Sequence, residues 1–126
     1  MARTARDLSD EEIEAYRRAA LRREREWRVP EERMARAWDL ARKAAALLRE
    51  QFGATRVVVF GSLVREGCFT PWSDVDLAAW GLRPEDTFRA IGTVYELDPE
   101  IEVNLVDVNA CSPSLRAVIE AEGVDL

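Results

Sequence analysis

The sequence predicts an α/β (α+β) fold, in which helices pack on a small, mixed β-sheet. Three observations support this prediction. Two long segments with helical spacing of apolar residues come first, three short apolar or alternating segments follow, and further helical segments lie between and after them. The 126 residues suffice for one domain with a single core, and 48% of them are apolar, as expected of a folded protein.

The first helix is predicted from about Asp10 to Trp27. Ser9 and Glu12 have the spacing of a capping box, in which the serine side chain caps the start of the helix. Pro30 suits the start of a second helix, and this helix ends at Gly53 because glycine is common just after a helix end. We expect these two helices to pack on the sheet or on a partner protein.

Three strands are predicted from short segments. Arg56–Phe60 is apolar and β-branched, which is typical of a buried strand. Asp74–Trp80 forms the second strand, after a loop or short helix, and Ile101–Asp107 alternates as expected of the third. A third helix opens at Pro84 and a last helix opens at Ser112.

Composition narrows the chemistry that the chain can perform. It contains no histidine, which excludes histidine-ligated zinc, Ser-His-Asp triads and histidine general bases within it. From Val57 onward the chain has 4 basic and 13 acidic residues, compared with 14 and 11 before it. Nucleic-acid binding needs an excess of Lys and Arg, so no direct nucleic-acid contact is expected. Cys68 and Cys111 are expected to be free thiols.

No segment predicts membrane insertion or export. No run reaches the roughly 18 uncharged apolar residues that a membrane helix needs. The charged N-terminal segment has no apolar stretch of the kind found in signal peptides. We therefore expect a cytoplasmic protein without membrane contact.

Asp74 and Asp76 are the first candidates for chemistry. Residues i and i+2 of a strand point to the same face, so these two carboxylates would lie side by side and repel each other. A hard divalent cation such as Mg²⁺ removes that repulsion, and substrate phosphates complete its oxygen ligands. Val75 and Leu77 point the other way, into the core. Because an Asp-x-Asp pattern also occurs on solvated strand faces, both interpretations stay open for this pair alone.

Gly61 and Ser62 follow directly after the first predicted strand. Glycine allows backbone to approach a phosphate closely, and free N–H groups at a following helix start favour an anion. The serine hydroxyl can donate to a phosphate oxygen, although a Gly-Ser pair commonly just ends a strand. Its combination with the aspartate pair, at the end of the neighbouring strand, favours a site for a nucleotide and its metal. Arg65 can contact a phosphate from the next loop or remain solvated.

The motif formed by these residues resembles that of the DNA polymerase beta superfamily of nucleotidyltransferases. The matching residues are Val59, Phe60, Gly61, Ser62, Leu63, Val64 and Arg65, followed by Trp72, Ser73, Asp74, Val75, Asp76 and Leu77. The sequence looks most like the minimal MNT-type members, which are paired with HEPN-domain proteins. The resemblance covers roughly Arg56 to the C-terminus, so we expect a nucleotidyltransferase core over residues 54–126. Residues 1–53 lie outside the resemblance and are expected to form an N-terminal helical extension, within one compact domain overall.

The resemblance also implies a reaction and its partners. Asp74 and Asp76 would hold one or two Mg²⁺ ions, which align an attacking hydroxyl with the α-phosphorus of an NTP such as ATP. MNT-type members act as antitoxins: some transfer AMP to a tyrosine of a HEPN ribonuclease, and others act by binding. The expected partners are an NTP and a HEPN-domain toxin, with which the chain can form a hetero-oligomer. The groups expected to contact nucleotide or phosphate are Gly61, Ser62, Arg65 and Ser73.

Two positions depart from the family pattern. Eleven residues separate Ser62 from Asp74, one more than is usual, and a loop around residues 65–67 can absorb the extra one. The third carboxylate of the family falls on Asn104, which can ligate a metal through its carbonyl oxygen but cannot act as a base. Glu102 lies on the same strand face, about 7 Å earlier along the strand, and can serve as the third acid.

Three functions therefore stay open from the sequence. The first, which we favour, is a protein adenylyltransferase in which the aspartate pair holds metal and Glu102 is the third catalytic acid. The second is a catalytically degenerate antitoxin that neutralises a HEPN-type partner by binding. The third is a nucleotide-binding regulatory domain. Asn104 is the residue that keeps the second and third functions open.

Overall fold

The computed structural model describes the backbone of residues 9–27 and 31–126 and the side chains of residues 9–19 and 31–126. Helices and strands follow one another in the order α1 (Asp10–Trp27), α2 (Glu31–Phe52), β1 (Arg56–Phe60), β2 (Val75–Trp80), α3 (Thr87–Tyr95), β3 (Val103–Asp107), α4 (Pro113–Glu122) and β4 (Val124–Asp125). Short 3₁₀ turns follow β1 and β3 and precede α3. No helix in these ranges is long and apolar enough to cross a membrane.

The four strands form one sheet in the order β3-β2-β1-β4. β1 pairs antiparallel with both β2 and β4, and β2 pairs parallel with β3. The sheet is therefore mixed, and the α+β fold that the sequence predicted is confirmed. β4 was not predicted, because two residues are too few to show a strand period. It pairs Asp125 with Val58, and Leu126 N–H donates to the carbonyl of Val57 over 3.0 Å.

The N-terminal helices begin and end close to the predicted residues. Ser9 Oγ accepts from Glu12 N–H at 3.2 Å, which is the serine half of the predicted capping box. α2 ends at Phe52, and Gly53 follows with a φ of 69°, the left-handed conformation that suits a helix end. Pro30, the predicted start of α2, lies outside the described residues.

The core occupies both faces of the sheet. On one face, α2 packs through Ala41, Ala44 and Leu48 against alternate residues of the strands, such as Val57 and Leu77. On the other face a smaller cluster joins α4 to the sheet, and its buried members are Val58, Ala78, Val108 and Ile119. α2 thus packs on the sheet as expected, whereas the side chains of residues 9–19 in α1 are exposed or half-buried. The division into residues 1–53 and 54–126 stays a prediction.

Two strands begin later than predicted. β2 starts at Val75 instead of Asp74, and β3 starts at Val103 instead of Ile101. The first hydrogen bond between them runs from Val75 N–H to the Glu102 carbonyl, at 2.9 Å. The side chains of Asp74 and Glu102 therefore lie just before the regular ladder, at the edge where both strands begin.

Candidate functional site

The predicted site residues meet where three strand ends lie side by side. Phe60, the last residue of β1, is paired with Asp76 of β2, and Asp76 is in turn paired with Asn104 of β3. Because β1 runs antiparallel to β2, the turn Gly61–Leu63 that follows β1 lies beside the start of β2. Asp74 precedes β2 at the same edge. The structure therefore brings the glycine-serine turn, the aspartate pair and Asn104 together.

Asp76 is a half-buried carboxyl in this group. Burial raises the pKa of Asp76, the contact with the Asn104 side chain lowers it, and the negative charge of Asp74 raises it again, with a net rise. The raised pKa means that the ionised carboxylate is not fully compensated by its protein surroundings. A divalent cation between the two aspartates would supply the missing positive charge.

Asn104 bridges the aspartate pair. Its Nδ2 donates to Asp74 Oδ2 at 3.2 Å, and it also contacts Asp76, its neighbour in register across β2 and β3. An amide donor can stabilise a carboxylate without adding charge, whereas a metal ligand would have to be the other atom of the amide, Oδ1. Asn104 therefore lies where the sequence predicted it and partly compensates the two aspartates.

Glu102 lies two residues before Asn104 and is exposed. Its Oε1 accepts a hydrogen bond from the Tyr95 hydroxyl at 3.0 Å. The hydrogen bond to Glu102 and the charge of Glu102 raise the pKa of Tyr95, and burial and the charge of Asp74 act in the same direction. Tyr95 is thus a neighbour of the site that sequence reasoning missed, because no motif links a helix end to a carboxylate seven residues later.

Gly61 is needed where it stands. Its φ is 79°, in the left-handed region that favours glycine, and a Cβ built there would lie 2.7 Å from Asp76 Oδ2. No other residue type allows the backbone to pass so close to the carboxylate without displacing it. Ser62 follows in the same turn and is half-buried. Backbone, hydroxyl and carboxylates therefore lie within one small region, as a site for phosphate and metal requires.

Arg65 and Ser73 have partners within the protein. Arg65 Nη2 and Nε donate to Glu122 Oε2, at the end of α4, at 2.7 and 3.1 Å. Ser73 Oγ accepts from Thr70 N–H at 2.9 Å and lies 3.0 Å from Thr70 Oγ1, which closes the turn before Asp74. Arg65 would have to leave Glu122 to contact a phosphate, so the structure does not bring its side chain to the aspartates.

The donor set suits Mg²⁺ in one respect and is incomplete in another. Among the side chains of residues 9–19 and 31–126, no group of three or more Asp, Glu or Cys is arranged to hold a metal ion. The candidate metal site instead has two carboxylates, with the Asn104 carbonyl and substrate phosphates as further oxygen donors. Mg²⁺ commonly takes one or two carboxylates together with phosphates, so the residues present fit a metal that arrives with its nucleotide.

Fold and site together define an α+β protein with a candidate site for phosphate and a divalent metal. A family model described as a nucleotidyltransferase domain matches residues 41–125, from the middle of α2 to the last strand. The match covers most of the chain, and the chain therefore belongs to this family. Domains of this family generally use an NTP and Mg²⁺. A search of curated proteins gave no match.

Proposed function

We propose that this chain is a protein nucleotidyltransferase, which binds an NTP with Mg²⁺ and transfers a nucleoside monophosphate to a protein hydroxyl. ATP is the proposed substrate, so the transferred group is AMP. The observation that supports the proposal most strongly is that Asp74 and Asp76 lie beside the turn that carries Gly61 and Ser62. One half of this arrangement suits phosphate, and the other half suits the cation that phosphate carries.

Different residues of the site would bind the metal and the phosphates. Asp74 and Asp76 hold the nucleotide-bound Mg²⁺, and the backbone of Gly61 and the hydroxyl of Ser62 orient the phosphates. Mg²⁺, when bound, neutralises charge that develops on the phosphates during transfer. Asn104 is the proposed further metal ligand, through Oδ1. Arg65 and Ser73 contribute by holding the loop around the site, and a direct phosphate contact of Arg65 requires it to exchange Glu122 for the nucleotide.

Glu102 is the proposed third acid. A phosphoryl acceptor must lose its hydroxyl proton, and Asn104 cannot take it because an amide is not a base at neutral pH. Glu102 lies at the same edge of the sheet and is exposed. It already accepts a hydrogen bond from the Tyr95 hydroxyl. Its position suits an acceptor that approaches from solvent, which a protein substrate must do.

The proposed biological role is that of an antitoxin whose acceptor is a HEPN-type ribonuclease. This role rests on the likeness of the motif to MNT-type members. A second candidate is an antitoxin that acts by binding alone. The Asn104–Asp74 hydrogen bond favours this alternative, because it places a neutral amide where the family pattern has a third carboxylate.

Labelled-nucleotide transfer tests the proposal. The purified chain is incubated with α-labelled ATP, Mg²⁺ and a purified HEPN-type protein as the proposed acceptor. The double variant Asp74→Asn, Asp76→Asn removes the metal ligands, and Asp39→Asn, at an exposed position on α2, is the control. We expect label on the partner with the unaltered chain and the control. The double variant should be slower by about a thousandfold, since a metal ion contributes several kcal/mol to such reactions.

Two other outcomes separate the alternatives. A stable complex without label would overturn the transferase and support the antitoxin that acts by binding. Neither label nor complex would overturn both antitoxin functions. Binding of ATP that depends on Asp74 and Asp76 would then favour the nucleotide-binding regulatory domain.

A further inference from the structure

Tyr95 is the last residue of α3 and lies next to the proposed active site. Its hydroxyl donates to Glu102 Oε1 at 3.0 Å, and its side chain is 47% exposed. We propose that Tyr95 is a self-modification site, to which the chain transfers a nucleoside monophosphate from its own bound NTP. This inference rests on the transferase function proposed above and adds an acceptor within the chain itself.

The topology explains why this tyrosine is close to the site. β2 and β3 run parallel, so both begin at the same edge of the sheet, where Asp74 lies. α3 must return the chain to that edge before β3 can start, and its last residue is Tyr95. The hydroxyl therefore lies beside Glu102, which stands two residues before Asn104, the residue that donates a hydrogen bond to Asp74. An acceptor in a metal-dependent transfer has to lie near both a base and the metal ligands.

The connection between α3 and β3 is held in place by Asp98. Its Oδ1 accepts from Glu100 N–H at 2.8 Å and from Ile101 N–H at 3.1 Å. Its carboxylate also accepts hydrogen bonds from Nε and Nη2 of Arg36, a residue of α2, at 2.8 to 3.1 Å. This connection carries Tyr95 at one end and Glu102 at the other. The tyrosine is therefore a fixed neighbour of the site, which is the condition for efficient transfer within one molecule.

The proposed transfer forms one bond and breaks another. The Tyr95 phenolic oxygen attacks the α-phosphorus, and a bond between that oxygen and the phosphorus forms. The bond from the α-phosphorus to the oxygen bridging the β-phosphate breaks, and pyrophosphate leaves with the electron pair. The phenolic proton passes to Glu102 Oε1, with which it is already shared in a hydrogen bond. The product is a tyrosine that carries one nucleoside monophosphate, and nothing is oxidised or reduced.

The chain provides a matched control, because Tyr16 is its only other tyrosine. Tyr16 lies on α1 and is 69% exposed, so it is more accessible to solvent than Tyr95. Modification that followed exposure alone would occur at Tyr16. Modification directed by Glu102 and the aspartate pair would occur at Tyr95.

The test uses the purified full chain with α-labelled ATP and Mg²⁺, without any partner protein. Intact mass and peptide mapping of the unaltered chain locate the adduct, so the result does not depend on whether a variant folds. We expect one AMP per chain, on Tyr95, in the unaltered chain and in Tyr16→Phe. We expect none in Tyr95→Phe or in Asp74→Asn, Asp76→Asn. Glu102→Gln should slow the reaction by about a hundredfold, the usual contribution of a general base.

The rate and a parallel reaction complete the test. Transfer within one molecule has a rate per chain that does not change when the protein concentration is raised, and a rate that rises with concentration would overturn the inference. A parallel reaction contains the HEPN-type protein. Label on that protein but none on the chain, or label on the chain at another residue, overturns this inference alone. No label on either protein overturns both the inference and the transferase function.

Discussion

The Asn104 side chain donates a hydrogen bond from Nδ2 to Asp74 Oδ2 at 3.2 Å. This contact stabilises one carboxylate of the aspartate pair with a neutral group. Asn104 is opposite Asp76 in register as well, so both aspartates have the amide as a common neighbour. With the amide, the metal-free site has less charge repulsion than it would have with three carboxylates, but it has one negatively charged metal ligand fewer.

Replacing Asn104 with aspartate should exchange these two properties. We expect Asn104→Asp to lower the stability of the metal-free protein by about 1–3 kcal/mol, because the Asp74 hydrogen bond is lost and a third like charge is added. Saturating Mg²⁺ should restore about 2.7 kcal/mol at a hundredfold excess over its dissociation constant. Thermal unfolding with and without Mg²⁺ measures both effects. Asn109→Asp, at an exposed position after β3, is the control, and an equal Mg²⁺ response in the two variants would contradict the prediction.

Gly61 and Gly67 separate two effects of glycine. Both have a positive φ, 79° and 74°, so alanine at either should cost about 1–2 kcal/mol of stability. Only at Gly61 does the added Cβ meet Asp76 Oδ2, at 2.7 Å, whereas a Cβ at Gly67 has nothing within 4 Å. Gly61→Ala should therefore slow nucleotide transfer by about a hundredfold, the usual effect of a 1 Å displacement, and Gly67→Ala should not. Equal rates in the two variants would show that the close approach is not needed.

Asp76 should limit the stability of the metal-free protein. Its pKa is raised in the folded state, so folding is favoured when it is protonated, and that advantage is lost as the pH rises from the unfolded pKa through the higher folded pKa. Asp76→Asn should therefore be more stable than the unaltered protein at neutral pH, without metal. The difference should shrink when the pH falls below the pKa of Asp76, because both side chains are then neutral.

Chemical unfolding in the presence of a chelator measures this difference across the pH range. Mg²⁺ and ATP should stabilise the unaltered protein more than the variant. Asp39→Asn, which removes an exposed carboxylate on α2, should change the metal-free stability by less than about 0.5 kcal/mol. A variant that is less stable than the unaltered protein at neutral pH would refute the view that Asp76 carries uncompensated charge.

Asp98 should stabilise the fold at neutral pH and lose this effect in acid, which is the opposite of the pH dependence expected for Asp76. Although burial opposes it, the hydrogen bonds from Glu100 N–H, from Arg36 and from Ile101 N–H hold the pKa of Asp98 below its ordinary value. Its contribution is therefore present above the unfolded pKa, about 3.9, and is lost as the pH falls through the lower folded value. Asp98→Asn should cost about 1–3 kcal/mol at neutral pH, and the cost should fall in acid.

Urea unfolding at several pH values measures the effect of Asp98→Asn. The matched control is again Asp39→Asn, since the Asp39–Arg42 pair is a salt bridge of similar length, 3.1 Å, but is far more exposed. If the loss of stability in Asp98→Asn stays constant down to acid pH, the variant is destabilised by poorer packing and not by the loss of the Asp98 charge. The loss should also reduce self-modification at Tyr95, because Asp98 fixes the connection that carries Tyr95 and Glu102.

Local patterns were enough to predict much of the fold. β1 was predicted with its observed bounds, because a short, apolar, β-branched segment followed by Gly61 and Ser62 is typical of a buried strand. The aspartate pair and the glycine-serine turn were predicted together because both were expected at the ends of neighbouring strands, and the strand register brings them together. The starts of β2 and β3 were predicted one and two residues too early, because the hydrogen-bonded ladder begins only where these two strands meet.

Relations between distant parts of the chain could not be predicted in this way. The pairing of Arg65 with Glu122 joins residues 57 positions apart, and no periodicity in the sequence records it. The position of Tyr95 beside Glu102 follows from the parallel crossover between β2 and β3, which periodicity alone does not specify. β4 was missed because it is held by its partner strand and not by its own two residues.

The loop between the glycine-serine turn and the aspartate pair is held at both ends by contacts with the rest of the protein. Leu63 and Phe69 are buried in the main core, and the pairing of Phe60 with Asp76 fixes where the flanking strands meet. The exposed residues 65–68 can consequently gain or lose length at small cost, since doubling a loop costs only about 0.6 kcal/mol. A segment grafted there would change the surface beside the candidate site while the strands that carry its aspartates stayed in place.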